Sequence, residues 1–217
     1  MERTTRAAIE ACQGLTDNLE IIIVDDGSKD RTGEIADRLA AENSVVRVIH
    51  NKPNQGYGGA LQAGFRAATK EWVFYTDGDG QFDFHEIPKL VEQLGHYDIV
   101  SAYRIDRRDS LIRRFNGWSW SMLCNIILGM RIRDIDCAFK IYPKRLFNEI
   151  QMKSQGALID AEILGRANRR GYRIGQIGVH HYPRVAGEPT GGNLKVIARA
   201  FIELIRLRGE IVAEKAL

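Results

Sequence analysis

The sequence is sparing with several residue classes, and each shortage narrows what the chain can be. Cysteine occurs only at Cys12, Cys124 and Cys137, scattered and without C-x-x-C spacing, so neither a disulfide framework nor a cysteine-based zinc site is expected. Such usage fits a reducing, cytosolic compartment. There is no run of eighteen apolar residues and no signal-peptide pattern, so no membrane-spanning helix is expected. The net charge is only +3 over 217 residues, too small to point to nucleic acid. Internal repeats, low-complexity tracts and a linker between two domains are also lacking. Gly56, Gly58 and Gly59 do not have the G-x-G-x-x-G spacing and follow a loop, not a strand, which sets a Rossmann dehydrogenase aside.

What remains is an ordinary soluble composition, 44% hydrophobic and 27% charged, in a chain long enough for one sizeable core. The small net charge hides a cluster: Arg104, Arg107, Arg108, Arg113, Arg114, Arg131 and Arg133 fall close together. A helix is expected over 3–13, then a β-branched strand 19–24 of the kind buried on both faces. Helix 31–42, strand 45–49, helix 60–69, strand 72–76, a helix from Pro88 to Leu94 and strand 97–103 follow. This β-α-β-α-β-α-β order predicts a single α/β domain, a Rossmann-like, mainly parallel sheet flanked by helices. Beyond it come helix 111–130, a loop into a strand stopped by Pro143, helices 144–150 and 159–169, strand 172–181 and helix 193–208. Within the first of these, Trp118, Trp120, Met122, Leu123, Ile126, Ile127 and Leu128 have helical spacing and read first as core. Their alternative is an interfacial helix beside Arg113 and Arg114.

The chemistry gathers where strands end. Asp77 and Asp79 follow Val73-Phe74-Tyr75, and two carboxylates there suit a hard divalent cation such as Mg²⁺ or Mn²⁺ completed by substrate phosphates and water. A polar turn is the plainer alternative. Asp25 and Asp26 end the first strand, so they belong on the same sheet edge. They can accept hydrogen bonds from a base or ribose, or cap the next helix. Gly56 opens a turn whose backbone N–H groups can approach phosphate, and Lys52 can pair with it.

Together Ile22-Ile-Val24-Asp25-Asp26-Gly-Ser28, Asn54-Gln-Gly56, Thr76-Asp77-Gly-Asp79-Gly-Gln81 and Asp134-Ile-Asp136-Cys-Ala-Phe139-Lys140 resemble the family 2 glycosyltransferases of GT-A fold. Within them the chain is most similar to the dolichol-phosphate mannosyltransferase and polyprenyl-phosphate glycosyltransferase branch. The resemblance implies metal-assisted, inverting transfer of a hexose from UDP- or GDP-sugar to a polyprenyl phosphate. It makes residues 1–110 a nucleotide-sugar-binding half and 111–217 an acceptor-side half. Asp25, Asp26, Lys52, Gly56 and Asp77 then face the nucleotide sugar. Asp77, Asp79 and the adjoining Gln81 face the metal, and Asp136, or else Asp134, is the base. Arg104, Arg184 and Arg113 are the candidates for the acceptor phosphate, since a guanidinium grips phosphate bidentately. His180 and His181 read as strand-end residues. A cytoplasmic protein, peripheral at the membrane face, is expected. The resemblance also places the first residues in what would be the family's first helix, so a sheet short of the family's opening strand is expected. The alternatives are a saccharide or other hydroxyl acceptor, or an inactive remnant.

Overall fold

The computed structural model describes residues 1–106, 111–183 and 194–214, with backbone alone over 194–200. In chain order it runs α1 (Glu2–Gln13), β1 (Ile21–Asp25), α2 (Thr32–Glu42), β2 (Val46–His50), α3 (Gly56–Ala67) and β3 (Trp72–Thr76). A 3-10 turn, Phe84–Glu86, leads into α4 (Ile87–Val91) and β4 (Ile99–Ile105). Then come α5 (Leu111–Leu128), β5 (Phe139–Pro143), α6 (Leu146–Glu149), α7 (Ile159–Arg169), β6 (Ile174–His180) and α8 (Leu194–Ala213). The expected elements are all present. Helix α3 begins four residues earlier than its expected start at 60. A Cβ on Gly58 would collide with the carbonyl of Ser154, so close packing puts glycines inside this helix despite their poor helix propensity.

The strands form two sheets among the described residues. β1 and β2 pair in parallel, Ile21 opposite Val46 through Asp25 opposite His50. The larger sheet has the order β3-β5-β4-β6. Here the expected run of neighbouring parallel strands is interrupted: β5 lies antiparallel between β3 and β4, with Ile141 opposite both Phe74 and Val100. Strands β3, β4 and β6 consequently run one way and β5 the other, and the longest ladder, β4 with β6, is parallel.

Burial follows this division. Ile99 and Val100 of β4 are fully buried, as a strand covered on both faces should be. Residues Ile21–Val24 were expected to be buried likewise, yet all four are only half-buried, because no strand pairs with the outer edge of β1 among the described residues. The first sheet is instead held at its ends. Glu20 Oε1 accepts from the Thr69 hydroxyl at 2.8 Å and the Lys70 backbone N–H at 3.2 Å. Helix α3 lies on β1, its Gly64 closing against Val24.

Beneath the larger sheet Phe65 stacks on Phe147 at 4.2 Å between centroids, with Tyr75 and Tyr142 edge-on to Phe65. Helix α7 is buried almost throughout. Its wholly buried Arg166 pairs with Glu162 at 2.8 Å and reaches Glu210 of α8 at 3.3 Å, which satisfies a charge too costly to leave alone.

Helix α5 corrects the reading of its apolar residues as core. Trp120, Leu123, Ile127 and Leu128 do pack against the core. Trp118, Met122 and Ile126 face outward, and with Leu111, Ile112 and Phe115 they form an exposed apolar face.

Candidate active site

The carboxyl ends of β1, β2 and β3 converge around the start of α3. Asp26 accepts from the Asn51 amide at 2.8 Å and the Gln55 backbone N–H at 2.9 Å, while the Asn54 amide donates to the Asp26 carbonyl at 2.6 Å. The turn after β1 is thereby laced to the loop after β2. Asp25 is buried; its carboxylate accepts from the Ser28 N–H and faces His50 Nδ1, both at 3.0 Å. The Ser28 hydrogen bond, with help from His50, holds the Asp25 carboxyl below its ordinary range.

Asp77 and Asp79 sit where β3 runs out, on the turn Thr76 to Gly80. Burial, and then the charges of Asp79 and Asp160, raise Asp77 from 3.8 to about 6. The Tyr57 hydroxyl opposes this by hydrogen bonding to it. Asp79 accepts from the Gln81 N–H at 3.1 Å, and the Gln81 amide donates to the Tyr182 carbonyl at 2.9 Å. The carboxylate turn is therefore tied to the end of β6. Gly80 has φ +74°, a left-handed conformation that glycine adopts without strain.

Directly below lies a buried polar group. Tyr75 and Lys140 are cross-strand partners on β3 and β5. Lys140 donates to Asp160 Oδ1 at 2.6 Å, to the Cys137 carbonyl at 2.6 Å and to the Tyr75 hydroxyl at 3.1 Å. Tyr75 in turn donates to Asp160.

A second polar group is carried by the loop before β5. Asn125 of α5 brackets Ile132 through its N–H and carbonyl, and Ser121 accepts from the Ile135 N–H at 3.2 Å. Asp134 receives a fork from Arg104, Nε and Nη2 each at 2.7 Å, with the Arg104 backbone N–H at 3.2 Å. Asp136 accepts from Trp120 Nε1 at 3.2 Å. Burial foremost, then the charges of Asp160 and Asp134, raise Asp136 from 3.8 to about 6. A carboxylate poised there can hold or give up a proton near neutral pH. The buried thiols of Cys124 and Cys137 are pushed up to about 12 and are inert.

The fold that carries these residues is one that known proteins share. The profile of glycosyl transferase family 2 matches residues 1–151. The chain belongs to this family. It is 32% identical over 199 residues to glycosyltransferase AglD of Haloferax volcanii, covering 85% of this chain but only 31% of that one. It is 28% identical over 200 residues to the undecaprenyl-phosphate mannosyltransferase of Micrococcus luteus, covering 86% of this chain and 81% of that one. Among solved structures, glucosyl-3-phosphoglycerate synthase of Mycobacterium tuberculosis with Mn²⁺, UDP and glucosyl-3-phosphoglycerate superposes with a TM-score of 0.68 at 19% identity. That match covers 97% of this chain and 75% of the mycobacterial one, and it shows the GT-A fold.

Within this family 2 domain several of the residues singled out from sequence are bound to one another or to neighbouring backbone. Asp134 and Arg104, expected at proton transfer and at the acceptor phosphate, are bound to each other. Gln81 braces β6 through its amide. The N–H groups of the glycine turn are also engaged: Gly56 donates to Asn54 at 3.0 Å and Gly58 to the Gln155 carbonyl at 2.7 Å. The close approach that these glycines permit is to residues 154–156. Lys52 is exposed beside Pro53, and Arg113 is exposed on the first turn of α5. Arg133 stacks on Tyr103 at 4.0 Å. Arg184, Arg107 and Arg108 lie outside the described residues. Sequence reasoning missed Asp160, which stands in no motif, and passed over Tyr57 between Gly56 and Gly58. It named Lys140 only as the last residue of the motif that begins at Asp134.

Proposed function

We propose that the chain transfers a hexose from a nucleoside diphosphate sugar to a polyprenyl phosphate, peripherally at a membrane surface, with a divalent cation. The observation that carries this is the Asp77–Asp79 pair, two carboxylates close enough for one to raise the other. Such a donor set fits a hard cation. Among the described residues no third His, Cys, Asp or Glu joins them, so diphosphate oxygens and water complete the shell, as suits Mg²⁺ or Mn²⁺. When bound, that cation stabilises charge developing on the leaving diphosphate. The mycobacterial structure contains Mn²⁺ and UDP in the same fold, which supports a nucleotide at this edge.

In this reading residues 1–110 hold the donor. The braced Asp25–Asp26 turn presents acceptors to the nucleoside, and Lys52 and the glycine turn flank the diphosphate. Residues 111–217 supply the acceptor side, where Asp136 takes the proton still carried by an incoming phosphate monoester. The name of the Micrococcus luteus relative supports a lipid phosphate acceptor, and the exposed apolar face of α5 supports a membrane on that side. No described helix is long and apolar enough to cross one.

Thermal unfolding with UDP, GDP and their sugars, in Mn²⁺ or in EDTA, tests the donor site. Ligand at one hundred times Kd stabilises the fold by about 2.7 kcal/mol, a rise of several degrees. The expected result is a metal-dependent rise that Asp79→Ala abolishes, with labelled hexose passing into the chloroform phase when polyprenyl phosphate is supplied. No rise with any donor would overturn the reading, and a water-soluble product would replace the lipid acceptor with a saccharide.

A further inference from the structure

The buried group under the site joins parts of the chain that carry opposite sides of the reaction. Tyr75 lies two residues before Asp77 on β3, and the Cys137 carbonyl lies one residue after Asp136. Asp160 comes from the first turn of α7. The ammonium of Lys140 touches all three, at 3.1, 2.6 and 2.6 Å. Lys140 and Cys137 are wholly buried, and Asp160 and Tyr75 are 2% and 7% exposed. The ammonium also lies 5.2 Å from the centroid of the Tyr75 ring. With three donors and three fixed acceptors, this ammonium has no rotational freedom left to use.

We infer that Lys140, paired with Asp160, is a positioning residue that fixes the carboxylate turn of the donor side against the Asp136 loop of the acceptor side. This rests on the donor and base roles proposed above. Transfer requires the acceptor oxygen, the sugar carbon and the leaving oxygen to be held in line. Misplacement by about 1 Å costs roughly a hundredfold in rate. The position of Lys140 opposite Tyr75 follows from the antiparallel insertion of β5, so the strand that breaks the parallel order is also the one that delivers the link.

A purely structural ion pair makes a different prediction. Removing one partner strands a buried charge, whereas replacing both with apolar residues of similar volume often restores stability. The test is therefore Lys140→Met combined with Asp160→Leu, alongside each single change. Unfolding temperature, Mn²⁺-dependent UDP and GDP binding, and kcat and KM for hexose transfer to polyprenyl phosphate are compared with the wild-type chain. The expected result is recovery of stability and nucleotide affinity within about threefold in the double variant, with kcat still about a hundredfold low. A double variant that recovers stability with kcat within threefold of wild type overturns the inference.

Tyr75→Phe supplies a second measurement should the double variant fail to fold. It keeps the charges paired and removes only the hydroxyl that joins Lys140 to β3. A fall in kcat of about tenfold at unchanged KM for the nucleotide sugar is expected, and unchanged kcat overturns the inference. Absence of transfer by the wild-type chain would instead be a failure of the proposed function, so the two failures are separable.

Discussion

Arg104 and Asp134 are each other's partner. Both nitrogens of the fork sit 2.7 Å from a carboxylate oxygen, and the side chains are 12% and 11% exposed. The pairing and the charge of Asp134 hold the guanidinium ionised despite its burial. Because the pair is shielded from water, it contributes where an exposed pair would not. A double-mutant cycle with Arg104→Ala and Asp134→Asn, read by urea unfolding, should give a coupling of about 2 kcal/mol. A coupling indistinguishable from zero would show that the fork adds nothing to stability. Arg104→Lys should recover little of the loss, since an ammonium cannot reproduce the fork.

Asp136 is expected to show itself through pH. Its carboxyl is raised to about 6, so the basic form is present above that pH and lost below it. The second ionisation of a phosphate monoester also falls near pH 6, and by pH 8.5 the acceptor needs no base. Asp136→Asn should therefore slow transfer by no more than about twofold near pH 6 and leave it unchanged at pH 8.5. A hydroxyl acceptor would behave otherwise, with a loss on the order of a hundredfold or more at both pH values.

The buried carboxyl of Asp77 makes a prediction about stability. The folded-state value of Asp77, about 6, exceeds the ordinary 3.8, so ionisation of this group opposes folding. The cost is absent below the unfolded value, grows as pH rises through the interval and is complete above 6. Asp77→Asn should accordingly raise the unfolding temperature at pH 7 in EDTA and change it little at pH 4. Discounted for partial solvent access, the gain is about 1 kcal/mol, or about 2–4 °C for a chain of this size. The same variant should lose the rise in unfolding temperature given by Mn²⁺ with nucleotide. A lower unfolding temperature at pH 7 would show that the Tyr57 hydrogen bond outweighs the cost of burial.

These residues differ in how far the sequence announces them. Asp25, Asp26, Asp77 and Asp79 stand at the ends of apolar β-branched or aromatic runs, which local pattern locates, but the single sheet edge expected for them is divided between two sheets. Lys140 and Tyr75 are 65 residues apart, and only the reversed insertion of β5 makes them neighbours. Periodicity carries no information on strand order, so that link was out of reach. Asp160 has the look of any acidic residue in the first turn of a helix. The half-exposure of Ile21–Val24 has the same origin: a β-branched run marks a strand but does not say which of its edges is paired.

Helix α5 shows how a pattern fails for a physical reason and leads to the last prediction. Helical spacing places Trp118, Met122 and Ile126 on one face and Trp120, Leu123 and Ile127 on another, and both faces are apolar. Only one of them meets the core. Leu111, Ile112 and Phe115 extend the outer face and are 78%, 75% and 64% exposed. On α8, Phe201, Ile202 and Ile205 are exposed as well, and Arg208 ties the two helices by donating to the Ile127 carbonyl. An exposed apolar surface of this extent marks an interaction site. Arginines at its border, Arg113 and Arg114 among them, suit an anionic bilayer. Phe115→Ser with Trp118→Ser should lower binding to vesicles containing anionic lipid by about tenfold or more, with unfolding temperature unchanged because neither side chain is part of the core. Transfer to a long polyprenyl phosphate in vesicles should fall with it, while transfer to a short, water-soluble analogue should not. Equal loss on both acceptors would place these side chains in the catalytic cleft instead of at the membrane.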